Sequence, residues 1–496
     1  MLFAPLSSQS PRTRHLARRV GASLLAASLA LGGTSAWRGV AASASASASH
    51  NGAAVARIIT ARTSTAITRA TPTMRAATAD ATTEAAAATP TTRARASAPA
   101  RTTTATATRT PIRATATPAP TSTPTQTPTP TPTPPVATAY PTPVPGRVAP
   151  GPRYLVGAYY FSGWSHGQND NLTPLLLGAP MRRYEPLIGW YDDSQAQVDK
   201  NIDQAAGAGV GFFAFDWYNL SHARYATDLT LNNALKYYLS SRHRSRLKFC
   251  LNFVDQNPFM PHAGDWYGLV HTWISYFKQP DYVRVNGKPL FIIFSPEHMR
   301  DIFGSSDNVH RALDYLRGAV RKAGLPGVTI AVGATVTAHG NPYNYGRIAH
   351  EGYDITTGYN YHATGGEQYN KPVPYSDLVQ ENVGMWTRVA ANLPQPYIPV
   401  ITMGWDQRFS YRELKTKIVY AGRTPAQFAC YASAARRWID THPSRTVPER
   451  IVLVFAWNEI GEGSGLIPNH VDGYAYGNVI RQVFGAPGQA PGPYPC

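Results

Sequence analysis

Cysteine is scarce in this chain: Cys250, Cys430 and Cys496 are the three among 496 residues. So small and odd a number excludes a disulfide-stapled scaffold. One bridge fits, while Cys250 falls in an apolar run where a free buried thiol is the commoner state. No Cys-x-x-Cys or His-x-x-x-His pair offers zinc-ligand spacing, so neither a metal nor an organic cofactor is expected. No Gly-rich phosphate loop follows the first strand-like run, which argues against a nucleotide-binding open sheet. Lysine is missing from the first 150 residues, where 15 Arg face only Asp80 and Glu84. That segment carries a formal +13 of the chain's +17, leaving +4 for the remainder. The basic balance belongs to the tail, and no nucleic-acid partner is expected for the folded part.

The same tail divides in two. Residues 1–36 read as an export signal: Arg12, Arg14, Arg18 and Arg19, a mainly apolar stretch from Gly21 to Gly33, then Thr34-Ser35-Ala36 suited to cleavage. The apolar stretch is short for a membrane span, an uncleaved anchor being the alternative. Arg18-Arg19 also matches a twin-arginine route. Residues 37–150 are dominated by Ala, Thr, Pro and Arg, with dense Thr-Pro pairs after Thr89. They have almost nothing apolar to bury against their ordering entropy and read as a disordered stalk, a candidate for O-glycosylation. The default reading of this basic stalk is a solvated linker, with association to a cell wall or surface through its charge as the alternative.

Residues 151–496 have the composition of a globular domain, expected to be monomeric. Apolar runs at Tyr154–Phe161, Val210–Asp216, Leu247–Phe253 and Pro289–Ser295 read as strands. Val328–Gly333, Asp354–Tyr359, Ile398–Met403 and Ile451–Trp457 read the same way. Between them lie segments with helical spacing: Ser194–Ala208, Leu229–Ser240, Trp266–Phe277, Val309–Ala323, Tyr375–Ala391, Pro425–Asp440 and Gly473–Phe484. Asp193-Ser194 and Thr424-Pro425 supply helix-start signals. Asn286-Gly287 between Tyr282–Val285 and Lys288–Phe291 reads as a hairpin turn. Eight alternating units give an α/β fold, a (β/α)₈ TIM barrel, whose functional groups sit at the C-terminal ends of the strands.

The last strand ends in Trp457-Asn458-Glu459-Ile460-Gly461-Glu462-Gly463. Two carboxylates at the mouth of a buried strand are costly to place unless they are paired or do chemistry. A helical turn in the loop would put positions three apart on one face, as an acid/base pair in a sugar-cleaving site requires. The other strand ends mix aromatics with carboxylates and amides. They offer Tyr160, Asp216, Trp217, Tyr218, Asn252, Tyr359, Tyr361, Trp405, Asp406, Trp457 and Asn458. Such a rim suits pyranose rings, whose C–H faces stack on aromatics while their hydroxyls take fixed polar partners. These residues also have structural readings. The aromatics can cap the barrel core, Asp216 can cap a helix or pair with an Arg, and Asp406 can pair with Arg408. Glu297 reads as a loop residue and His362 as structural.

With these motifs in place, the chain resembles the glycoside hydrolase family 99-like group, including the WbsX-like proteins. The likeness is carried by Pro186-Leu187-Ile188-Gly189-Trp190-Tyr191-Asp192 and by Gly209–Tyr218, Tyr282–Phe291 and Met403–Arg408. Thr424–Phe428, the Trp-Asn-Glu-x-x-Glu-Gly signature and Gly473–Tyr476 complete it. The resemblance implies a (β/α)₈ barrel and a retaining endo-acting glycosidase on α-mannose-type polysaccharide. It also implies Glu462 as acid/base and Glu459 as the base that assists attack by the sugar's 2-hydroxyl. Where the mannosidases carry a His between the glutamates this chain has Gly461, which draws it towards the WbsX-like branch. A non-catalytic glycan-binding barrel and a glycosyltransferase of polysaccharide assembly are the alternatives.

Overall fold

A computed structural model describes residues 139–140, 154–164, 184–189, 193–222, 229–333, 342–360, 371–408, 418–486 and 489–496. The leader, and the stalk apart from Ala139 and Tyr140, lie outside the described residues, as do Tyr361 and His362.

Eight parallel strands form the sheet: β1 Leu155–Tyr160, β2 Phe212–Tyr218, β3 Lys248–Val254, β4 Lys288–Ile293, β5 Thr329–Gly333, β6 Ile355–Thr357, β7 Val400–Thr402 and β8 Ile451–Phe455. Each pairs with the next in order, and β8 returns to β1 in the register Leu155↔Ile451. The step from β6 to β7 is closed by a parallel bridge, Thr356 to Tyr397, with Thr356 N–H donating to Pro396 and Ile398 N–H to Thr356, each at 2.9 Å. The result is a (β/α)₈ barrel. Strands covered on both faces have no polar side to show, which is why β2 and β8 are buried at every position.

Nine helices are described: α1 Gln195–Gly207, α2 Asn233–Ser240, α3 Trp266–Phe277, α4 Pro296–Phe303, α5 Ser306–Lys322, α6 Pro342–Glu351, α7 Tyr375–Asn392, α8 Pro425–Thr441 and α9 Ala475–Phe484. Their starts follow local chemistry. The Ser194 hydroxyl accepts from Gln197 N–H ahead of α1, and Thr424 and Gln427 cap α8 reciprocally with Pro425 in its first turn. Helices α4 and α6 were not legible from apolar spacing. At eight residues α4 is barely two turns, and its cue was Ser295-Pro296, whose serine caps it. Glu297 therefore sits in a helical first turn, paired with Arg300 at 3.0 Å, and not in a loop. The hairpin forms as read: Arg284 pairs with Pro289 antiparallel, and Asn286 and Gly287 take positive φ of 50° and 75°.

Cys430, on α8, is bridged to Cys496, while Cys250 is a free buried thiol in β3. Tyr140, within the segment read as stalk, lies edge-on to Tyr474 at 4.6 Å between centroids. A side chain on Gly477 would meet its hydroxyl at 2.0 Å, so the Tyr140 ring would have to shift to admit one. Among the described residues no helix is long and apolar enough to cross a membrane.

Candidate active site

The loop after β8 builds the centre of the site. Ile460–Glu462 form one turn of 3₁₀ helix, with Glu462 N–H donating to the Glu459 carbonyl at 3.1 Å. In a 3₁₀ turn positions i and i+3 eclipse, so both glutamates leave the loop on one side. Gly463 ends the turn with φ 68°, and the Ser464 N–H also donates to Glu459, at 2.9 Å. The loop after β7 holds the far end, since Asp406 N–H donates to the Glu462 carbonyl at 2.8 Å.

Across the mouth, Tyr359 reaches Glu459 from the end of β6. Its hydroxyl lies 3.1 Å from Glu459 Oε1 and 2.7 Å from Asp216 Oδ2. The other oxygen of Asp216 accepts from Asn252 Nδ2 at 2.7 Å. Asp216 and Asn252 are register partners on β2 and β3, so both point inward at the same level. The Tyr359 ring is gripped by Tyr159, Phe294 and Phe455, at 4.7, 5.0 and 4.6 Å between centroids.

Burial dominates the electrostatics. It lifts Asp216 to about 7, against hydrogen bonds from Asn252 and Tyr359 that pull the other way. Burial raises Glu459 well above the usual carboxylate range, and the neighbouring charges of Glu462 and Asp216 push it further. Tyr218 feels Asp216, Glu459 and Glu462, all adding to the burial that raises its phenol. Three carboxyls in so small a space cannot all ionise near neutrality. Such a group can hold a proton and release it where a leaving oxygen needs one.

The remaining rim residues divide by strand alternation. Asp216, Tyr218, Asn252 and Tyr359 join the glutamates. Tyr160 does not: its ring packs on Phe213 and Phe215, and its hydroxyl donates to Asp193 and accepts from Asn201 of α1. Trp217 packs against Trp273 of α3, and the Trp457 indole donates to Asn201 at 2.9 Å. Tyr160 and Trp217 face the helix layer because odd and even positions of a strand leave on opposite sides. Trp457 instead lies past the end of β8 and turns to that layer although Phe455, two residues earlier, faces Tyr359. Trp405 is buried against Phe455. Asn458 clamps the loop after β1 by exchanging two hydrogen bonds with the Phe161 backbone, at 2.8 and 2.9 Å. The Asp406 carboxylate is gripped by the Arg408 guanidinium, the structural alternative read from the sequence.

Tyr159 was not singled out beforehand. Its hydroxyl donates to the Gly358 carbonyl at 2.6 Å, steadying the turn that presents Tyr359. The signal was period-two alternation back from the strand end, which separates Tyr159 from Tyr160 only once the register is fixed.

The family model described as glycosyltransferase WbsX matches residues 184–480. No curated protein matches the chain. Among solved structures, one described as a glycoside hydrolase-like protein is 18% identical with a TM-score of 0.48, over 69% of this chain and 97% of that one. A GH99 endo-alpha-mannosidase from Bacteroides thetaiotaomicron is 14% identical with a TM-score of 0.41, over 66% and 94%. A GH5_18 from Streptomyces cattleya in complex with GlcNAc is 13% identical with a TM-score of 0.39, over 69% and 82%.

Proposed function

The chain belongs to the WbsX family, and on that premise we propose that it is a secreted, retaining glycoside hydrolase acting on an α-linked polysaccharide of mannan type. The observation that carries the reading is the glutamate pair on one 3₁₀ turn, with Glu459 tied through Tyr359 to Asp216 at the C-terminal mouth of the barrel.

In the first step Glu459 takes the proton of the sugar's 2-hydroxyl, and that oxygen bonds to the anomeric carbon. The glycosidic bond breaks as Glu462 gives its proton to the leaving oxygen. In the second, ionised Glu462 takes a proton from water, whose oxygen attacks the anomeric carbon. The anhydro ring opens and its oxygen recovers the proton from Glu459. Two inversions give net retention, with the substrate's own oxygen in the place a carboxylate takes in the commoner scheme. Tyr218 and Asn252 supply polar contacts around the reacting sugar, while the Tyr359 hydroxyl holds Glu459.

Two features support export. The basic, apolar, small-residue leader has the order of a signal peptide. The Cys430–Cys496 bridge suits an oxidising compartment. The experiment is to follow the anomeric configuration of fresh product by NMR, where this reading expects the α anomer first.

The family's description favours a second reading, a glycosyltransferase. Sugar-nucleotide-dependent extension of an acceptor, without hydrolysis, would establish it instead.

A further inference from the structure

A phenol has one hydrogen to give. The Tyr359 oxygen nevertheless lies within hydrogen-bond distance of two carboxyl oxygens, 2.7 Å from Asp216 and 3.1 Å from Glu459. If both carboxyls were ionised, one would present a lone pair to a lone pair at hydrogen-bond distance in a half-buried site. The arrangement is satisfied only when one of the two carboxyls carries its own proton and donates it to the phenol oxygen. Asn252 donates to Asp216 Oδ1, which leaves Oδ2 to face the phenol.

We propose that Asp216 and Glu459 share one proton through the hydroxyl of Tyr359, and that its passage to Asp216 frees Glu459 to act as the base. The shift balances. The Glu459 Oε1–H bond breaks as a new O–H forms on Tyr359, and the original Tyr359 O–H breaks as Asp216 Oδ2–H forms. Glu459 ends ionised, Asp216 neutral, and the net charge is unchanged. Asp216 is thus a positioning residue that acts on the sugar only through Glu459. The groups facing this relay are Asn252 on β3, Tyr218 on β2, and Glu462 beside Glu459, whose charge works against a second ionisation. The ring contacts of Tyr159, Phe294 and Phe455 keep the phenol in line. The role of Glu459 here rests on the hydrolase reading; the sharing of the proton does not.

The test uses the full chain with Asp216→Asn, Asp216→Ala and Tyr359→Phe. Asparagine offers an N–H to the Tyr359 oxygen and a carbonyl to Asn252, so it imitates neutral Asp216 and cannot lose a proton. Loss of the shared proton leaves Asp216 and Glu459 both ionised against one phenol hydrogen, which breaks the alignment of the base. Wild-type activity is therefore expected to fall as pH rises past about 7, the value to which burial lifts Asp216. In Asp216→Asn that alkaline limb moves up by about one pH unit or more, and Asp216→Ala is about tenfold or more less active than Asp216→Asn. Tyr359→Phe keeps the ring, breaks both bonds, and lowers kcat with little change in KM. An Asn variant with the wild-type limb, or one as inactive as the Ala variant, overturns the proposal.

Unfolding stability against pH gives a readout that needs no turnover. The Asp216 carboxyl is raised from its ordinary 3.8 to about 7. Its contribution to stability is therefore present below the lower value and lost as pH rises through the upper one. Wild type should lose stability relative to Asp216→Asn across that window. Parallel curves overturn the proposal even if the enzyme hydrolyses glycans. A pH-dependent difference without any turnover keeps the shared proton and removes the hydrolase reading.

Discussion

The N–H of Glu462 donates to the carbonyl of Glu459 at 3.1 Å, and this one backbone bond sets the buried Glu462 and the half-buried Glu459 on the same side of the strand-eight loop. Their proximity is stabilised by nothing intrinsic to themselves. Like charges in a low-dielectric site repel, and a proton on one of them relieves it.

Replacing either glutamate should therefore separate activity from stability. Glu459→Gln and Glu462→Gln are each expected to lower kcat by about 10²–10⁴. Glu459→Gln should leave the folded state as stable as wild type or more so, since a repelled charge has gone. In Glu462→Gln one of the charges that raise Glu459 is removed, so the folded-state pKa of Glu459 falls toward its ordinary 4.5. That variant should lose less stability than wild type as pH rises from about 4.5. Thermal melts across pH, beside initial rates, check both halves.

Gly463 makes the turn possible. Its φ is 68°, and a β-carbon there would lie 2.8 Å from that of Asp406. Gly463→Ala is expected to cost about 1–2 kcal/mol for the left-handed conformation alone, with more from the contact. The displaced Glu462 should lower kcat by about 10²-fold, because misplacement by about 1 Å is enough. Denaturant titration and kcat measure the two effects.

Trp457 and Tyr218 should respond in opposite ways. Trp457→Phe leaves Asn201 Oδ1 without its indole donor inside the helix layer, a cost of about 1–3 kcal/mol with KM unchanged. Tyr218→Phe keeps the ring against Phe259 and removes the phenol beside the three carboxylates. It should lower kcat/KM by about tenfold and leave the melting temperature close to wild type. Had the rim Trp been a sugar platform, the first variant would be the one to lose substrate.

The Cys430–Cys496 bridge closes a loop with a sequence separation of 66. By chain entropy, breaking it with Cys430→Ser should cost about 4 kcal/mol. Unfolding of wild type with and without reductant, beside the variant, measures this; the variant should be indifferent to reductant.

Much of the barrel was legible because a strand buried on both faces must be apolar throughout, as Ile451–Phe455 is. Each sequence-read strand agrees with the observed one to within three residues at either end. Glu459, Glu462, Asp216 and Asn252 were read from the strand ends and lie together in the structure, whereas Asp406 and Asn458, read in the same way, make an ion pair and a loop clamp. The direction of each aromatic was not legible. Tyr159 and Tyr160 differ only in which side of the sheet they leave, and that depends on a register set by neighbours far along the chain. Trp217 faces the helix layer for the same reason, and Trp457 does so from the loop past β8, where strand alternation no longer applies. The bridge between Cys430 and Cys496 depends on how the C-terminal segment lies beside α8, which no local pattern encodes.

The most direct test of the central claim is product release by the full chain from a panel of α-mannans, other bacterial exopolysaccharides and wall glycans, beside Glu462→Gln and Glu459→Gln. The account predicts oligosaccharides from wild type and close to none from either variant. Equal release by all three, or glycan binding by all three with no release from any, would contradict it.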